Sequence, residues 1–106
     1  MDRESPLSFN EALNIVKAYK QVIKARYRNE PKVFMYGSYA KGNANRDSDI
    51  DVAVIVAEGE IVNKWEQWAD LWEDIRKVSV LIEPVLLEEK EDSMLYREIM
   101  RSGIAA

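Results

Sequence analysis

Gly37-Ser38, ten intervening residues and then Asp49-Ile50-Asp51, at the head of the apolar run Val52 to Ala57, are the residues of this chain best suited to chemistry. Asp49 and Asp51 stand two apart where an extended run begins. Period-2 geometry sets both side chains on one face, with α-carbons about 6.5–7 Å apart. Two such carboxylates repel one another and resist burial. A divalent ion between them, or a pair of ions about 3.5–4 Å apart, removes both costs. Upstream, Gly37 permits a tight turn, and Ser38 brings a hydroxyl and an N–H to the start of a short helix, Ser38 to Gly42. Free amides and the helix dipole at such a start stabilise a phosphate. Lys41 adds positive charge and Gly42 allows close approach. Glu83, inside an otherwise apolar run, is the candidate third carboxylate, because an unpaired one there would be costly. The competing reading has Glu83 pointing outward from an edge strand beside Pro84. The set points to metal-assisted chemistry on a nucleoside triphosphate.

The composition removes most other chemistries. The chain has no cysteine and no histidine. Disulfides, thiolate or imidazole metal sites, and Ser-His or Cys-His catalysis are therefore excluded. Any metal must be a hard, oxygen-binding one such as Mg²⁺ or Mn²⁺. A net charge of −4 argues against a nucleic-acid-wrapping surface. No apolar run reaches the ~20 residues of a membrane span, and Met1-Asp2-Arg3-Glu4 is too polar for a secretory signal. A cytoplasmic protein is expected.

Nearby motifs fail on their spacing. Gly37-x4-Gly42 begins like a P-loop, but Asn43-Ala44 stand where Lys and Ser/Thr are required. Asp47, Asp49, Asp51 and Glu58 occupy EF-hand positions, yet Val52 takes the place of the glycine and a strand follows. Ser38 has neither a base nor a Gly-x-Ser-x-Gly elbow.

At 106 residues the chain is expected to be one domain, 1–106, with little surface to spare for a second, substrate-holding unit. A bulky acceptor would then arrive on another protein. The elements follow from periodicity. Ser8 and Glu11 form a capping box for a helix whose apolar residues are Ala12, Ile15, Val16, Tyr19, Val22 and Ile23, ending near Arg28 before Pro31. Lys32 to Tyr36 reads as a buried strand running into the Gly-Ser turn. Asn43 to Ser48 is loop, and Asp49 to Ala57 is a central strand covered on both faces. Ile61, Trp65, Trp68, Trp72 and Ile75 mark an amphipathic helix, its tryptophans read as a buried stripe, with one exposed ring as a partner anchor the alternative. Val78 to Leu87 is a third strand, at an edge or bulged because Pro84 cannot donate. Glu88 to Asp92 is a solvated acidic turn that could also meet a basic partner, and a helix from Ser93 to Arg101 closes at Gly103. Arg46 suits either phosphate or Asp47, and Tyr39 either a nucleotide pocket or the core. The sum is an α/β (α+β) fold: a small mixed three-stranded sheet flanked by about four helices, without repeats or linkers.

Gly37-Ser38-x10-Asp49-x-Asp51 resembles the signature of the DNA polymerase β-type nucleotidyltransferase superfamily. Gly-Ser-x-Ala-x-Gly with Ser48-Asp49-Ile50-Asp51, and the closing Leu95-Tyr96-Arg97-Glu98-Ile99-x-x-x-Gly103-Ile104, are similar to its minimal nucleotidyltransferases (MNT). The resemblance implies a nucleotidyltransferase fold and transfer of a nucleoside monophosphate with loss of pyrophosphate. It implies that Gly37, Ser38, Lys41, Gly42 and Ser48 bind the nucleotide, and that Asp49, Asp51 and Glu83 are catalytic and hold Mg²⁺, commonly two ions. Glu83 departs from the aspartate more common there. Minimal nucleotidyltransferases commonly serve as antitoxins of HEPN-domain ribonuclease toxins, moving AMP from ATP onto a toxin tyrosine. The resemblance thus implies ATP as substrate and a HEPN toxin as partner, with homo-oligomerisation left open. Two rivals stand beside it: an antitoxin that only covers its toxin, and transfer to a small molecule such as an aminoglycoside, which would need an acceptor pocket.

Overall fold

The computed structural model describes residues 5–106; the polar start, Met1 to Glu4, lies outside the described residues. The capping box forms as expected: Ser8 Oγ accepts from the Glu11 N–H at 3.0 Å and Glu11 Oε1 from the Ser8 N–H at 2.8 Å, starting α1 (Phe9–Ile23). A 3₁₀ turn, Lys24–Arg26, carries it on, so the helical run stops short of Arg28. Then come β1 (Lys32–Tyr36), α2 (Ser38–Lys41), β2 (Ile50–Val56) and α3 (Lys64–Asp74) with a 3₁₀ turn at Ile75–Lys77. β3 (Ile82–Glu88), α4 (Met94–Ser102) and β4 (Ile104–Ala105) complete the chain.

The sheet runs β3-β2-β1-β4, with β2 parallel to β3 and β1 antiparallel to both β2 and β4. It is mixed, as expected, but four-stranded rather than three-stranded. β4 is only two residues long, too short for an alternating pattern to be visible. It pairs because the chain leaving Gly103 returns along β1, where the Ala106 N–H donates to Val33 O at 2.9 Å. β3 starts at Ile82 rather than Val78, since Ser79 turns the chain by accepting from Leu81 and Ile82 N–H groups. β3 is an edge strand. The Ile50 N–H bond to Leu81 O and the Glu89 N–H bond to Val56 O direct odd-numbered backbone groups of β3 toward β2. Pro84, an even position, therefore has its missing N–H on the open side, where a ladder loses nothing.

Alternation along the strands sorts side chains between two faces. Val33, Met35, Val52, Val54, Ile82 and Leu86 pack with Val16, Tyr19 and Ile23 of α1 and with Leu71 and Ile75. On the other face Ala53, Ile55 and Leu87 pack with Ile99, Leu95 and Tyr96 of α4 and with Phe34 and Tyr36. Each fully buried aliphatic side chain contributes about 1.5–3 kcal/mol. The result is three layers, with α1 and α3 on one face of the sheet and α4 on the other.

The tryptophan stripe departs from its expected burial. Trp65 is 79% exposed and Trp68 39%, while Trp72 is half-buried. The rotation of α3 is set elsewhere. The buried Tyr19 hydroxyl donates to Leu71 O at 2.8 Å, and Arg26 grips Asp74, itself 1% exposed, at 2.6 and 3.0 Å. With Leu71, Asp74 and Ile75 facing inward, Trp65 lies about 120° away around a 3.6-residue helix.

Candidate active site

β1 delivers the chain to Gly37, whose φ of 74° and ψ of −150° lie where L-residues are strained. Space demands glycine there as well, because a Cβ would run into the Asp51 carboxylate. α2 is a single turn. The Lys41 N–H bonds to Gly37 O and the Asn43 N–H to Ser38 O, both at 3.0 Å, and Gly42 closes it in the left-handed region at φ 77°. The first N–H groups of such a turn have no acceptor within it. Ser38 is half-buried at its start.

The loop to β2 is held by its own side chains. Ser48 Oγ accepts from the Asn45 N–H at 2.9 Å and the Ser48 N–H returns a bond to Asn45 O at 3.0 Å, while Asn45 Oδ1 accepts from the Asp47 N–H at 2.8 Å. Ser48 thus shapes the turn that feeds Asp49 into the strand. Arg46 is exposed on that loop.

In the sheet, Tyr36 pairs with Asp51 and Asp51 with Glu83, so three polar side chains in register form one row on the α4 face. Neighbouring strands lie about 4.8 Å apart. Asp49, exposed just ahead of β2, comes near enough to Glu83 for the two carboxyls to share a proton. The electrostatics follow. Glu83 is held above the usual carboxylate range, first by the hydrogen bond with Asp49, then by burial and the charges of Asp49 and Asp51. Burial raises Asp51 and the charge of Asp49 adds to it. The Tyr36 phenol is pushed up to about 12 by burial, with Asp51, Glu83 and Glu98 adding to it.

The structure therefore brings together Asp49, Asp51, Glu83 and Gly37, with Ser38 next in the chain. Lys41 stands at the far end of the turn, where its Nζ meets Glu98 Oε1 of α4 at 3.5 Å. Tyr39 is buried, and its hydroxyl accepts from the Leu7 N–H at 3.3 Å, so its ring belongs to the core. Two residues of this neighbourhood were not singled out from sequence. Tyr36 was within reach, since it is the last residue of the strand that runs into Gly37. Glu98 was not, because only the packing of α4 brings it to Lys41.

Among the described residues no group of three His, Cys, Asp or Glu side chains stands in coordinating arrangement; Asp49 and Glu83 are turned to each other. The donor set nevertheless suits a hard divalent cation. It is all oxygen, it crowds like charges, and the crowding raises the affinity of Asp51 and Glu83 for protons. A cation between them reverses that logic by favouring the charged forms.

The family described as "Polymerase beta, Nucleotidyltransferase" matches residues 10–105. A Methanocaldococcus jannaschii protein, named as a protein adenylyltransferase, is 24% identical over 96 residues, covering 89% of this chain and 97% of that protein. Protein adenylyltransferase MntA of Shewanella oneidensis is 38% identical over 50 residues, 43% of this chain and 36% of that protein. Among solved structures, one from Sulfolobus solfataricus described as a nucleotidyltransferase superposes with a TM-score of 0.60 at 18% identity. It covers 96% of this chain and 88% of its own, a likeness of fold.

Proposed function

Because the chain belongs to the polymerase β nucleotidyltransferase family, we propose that it is an Mg²⁺-dependent protein adenylyltransferase. It moves AMP from ATP to a tyrosine hydroxyl of a HEPN-domain toxin and acts as the antitoxin. The observation that carries this reading is the row of acid across β2 and β3, Asp51 opposite Glu83 with Asp49 beside them, closed over by Gly37. Relatives named protein adenylyltransferase support the class of acceptor.

In this reading the amides at the start of α2 and the Ser38 hydroxyl bind the terminal phosphates, Gly37 and Gly42 let backbone approach them, and Lys41 adds charge. Ser48 acts on the nucleotide side by holding the loop that presents Asp49. Asp49, Asp51 and Glu83 hold the magnesium, which when bound neutralises the triphosphate and lowers the pKa of the acceptor hydroxyl. Glu83, the most exposed end of the sheet row, takes the acceptor proton on its carboxylate. The acceptor oxygen then bonds to the α-phosphorus as the bond to pyrophosphate breaks. Holding both reactants in line supplies much of the rate.

The test is labelling. ATP carrying label on the α-phosphate, Mg²⁺ and extract from the native host should yield one labelled protein with the wild-type chain and none with Asp51→Asn. Transfer of label at an undiminished rate by Asp51→Asn would overturn the assignment. Unlabelled partner that is nonetheless bound and neutralised would replace it with an antitoxin acting by occlusion.

A further inference from the structure

On the layer opposite the acidic row, α3 presents an aromatic stripe to solvent. Trp65 and Trp68 stand edge to face with centroids 5.9 Å apart, and Trp68 and Trp72 are again 5.9 Å apart at 61°. Lys64, Trp65 and Trp68 line a groove of about 410 Å³. Exposed tryptophans so grouped are costly in water and are the side chains that anchor interfaces. The fold itself does not use Trp65 and Trp68, since Leu71, Asp74 and Ile75, with Trp72 packed beside them, make the inward contacts of α3.

The flank of the stripe states the chemistry of what covers it. Glu66 and Glu73, seven residues apart on α3, are both exposed and fall on the side of the stripe away from Lys64, the cation that lines the groove. Among the described residues Glu73 has one ion pair, a long one of 3.8 Å with Arg76, both side chains largely in water. An apolar strip with an acidic rail matches an amphipathic helix with Lys or Arg along its edge. A second copy matches poorly, because a two-fold contact sets the acidic rail against itself. An anionic membrane or nucleic acid is repelled by the same rail and by the net charge of −4.

We infer that the Trp65–Trp68 face of α3 docks a basic amphipathic helix of a partner protein, apart from the catalytic face. This surface does not rest on the adenylyltransferase reading. A partner held there leaves the acidic row open, so docking and transfer are separable.

All three tryptophans of the chain lie in α3 and the two exposed ones, Trp65 and Trp68, stand on this face, so their emission responds to what covers it. Titration with a synthetic Leu/Lys amphipathic helical peptide should shift the emission to the blue with Kd of about 1–100 µM, weakening with salt. A Leu/Glu peptide with the same apolar face should bind at least about tenfold more weakly. Glu66→Lys/Glu73→Lys should exchange that preference, and Trp65→Ala/Trp68→Ala, folded by circular dichroism, should lose both peptides by isothermal calorimetry, which needs no tryptophan. Equal affinity for the two peptides, or binding of neither, would overturn the inference. So would a blue shift produced by protein concentration alone, which marks a second copy, or one produced by phosphatidylserine vesicles, which marks a lipid surface.

Discussion

A methyl group at Gly37 would fall on the Asp51 carboxylate, so the turn and the acid are one device. Gly37→Ala is expected to cost about 1–3 kcal/mol, from the positive φ and the displaced carboxylate. It should abolish nucleotide transfer as well; denaturant melts beside the labelling assay measure both. Asp51→Asn separates the two effects. The fold holds Asp51 above its ordinary pKa, first by burial, so its charge opposes folding at neutral pH. The amide should leave the melting temperature equal or higher while transfer falls about 100-fold or more. A variant that is both unstable and inactive would make Asp51 a structural residue instead.

Between elements, two ion pairs do different work. Arg26, at the end of the α1 helical run, holds Asp74 of α3 by two bonds, and Lys77 adds a contact at 3.2 Å. The Arg26 hydrogen bond, opposed by burial and helped by Lys77, keeps Asp74 below the usual carboxylate range. A depressed carboxylate lends stability that is present above its unfolded pKa of 3.8 and lost as pH falls through the lower folded value. Asp74→Asn should therefore cost about 2 kcal/mol at pH 7, and the gap from wild type should close on acidification below pH ~4. Urea melts at several pH values measure it, and a constant gap would contradict the linkage. The Lys41–Glu98 pair is half in water and adds little stability. Its consequence is competition, since a phosphate near α2 must share Lys41 with Glu98. Glu98→Gln should lower KM for ATP by about twofold to threefold at low salt, with kcat little changed and the melting temperature moved by no more than about 0.5 kcal/mol equivalent. A loss of kcat would instead assign Glu98 to the reaction.

Across the molecule, the sheet divides labour. One face meets α1 and α3 in the larger core, and the other carries the row Tyr36–Asp51–Glu83 beside α4. The like charges therefore sit at the end of a sheet held from behind, which keeps them from relaxing apart. Among the described residues no helix is long and apolar enough to cross a membrane. The tryptophan face and the acidic row point in opposite directions, so changes at Trp65 or Trp68 should leave ATP binding unaltered; isothermal calorimetry with a nonhydrolysable analogue checks that separation.

The one-dimensional pattern determined what depends on neighbours along the chain. The Ser8–Glu11 box, the Lys32–Tyr36 strand into a Gly-Ser turn, the paired aspartates heading a buried strand and the edge position of Pro84 all arise from local backbone geometry, capping or the lack of an N–H. So does the candidate site, apart from its third carboxylate, because Gly37 to Asp51 is one continuous segment. What only the tertiary structure decided depends on contacts between distant residues. The register that puts Glu83 beside Asp51 is set by β2 pairing with β3. β4 exists because α4 returns the chain to β1, and Lys41 meets Glu98 because α4 packs on that face. The rotation of α3 belongs here too. Spacing alone made the tryptophans a stripe, but Tyr19 and Arg26, more than forty residues away, turned that stripe to the solvent. Periodicity tells which residues share a helix face; the partners of the opposite face choose which way it points.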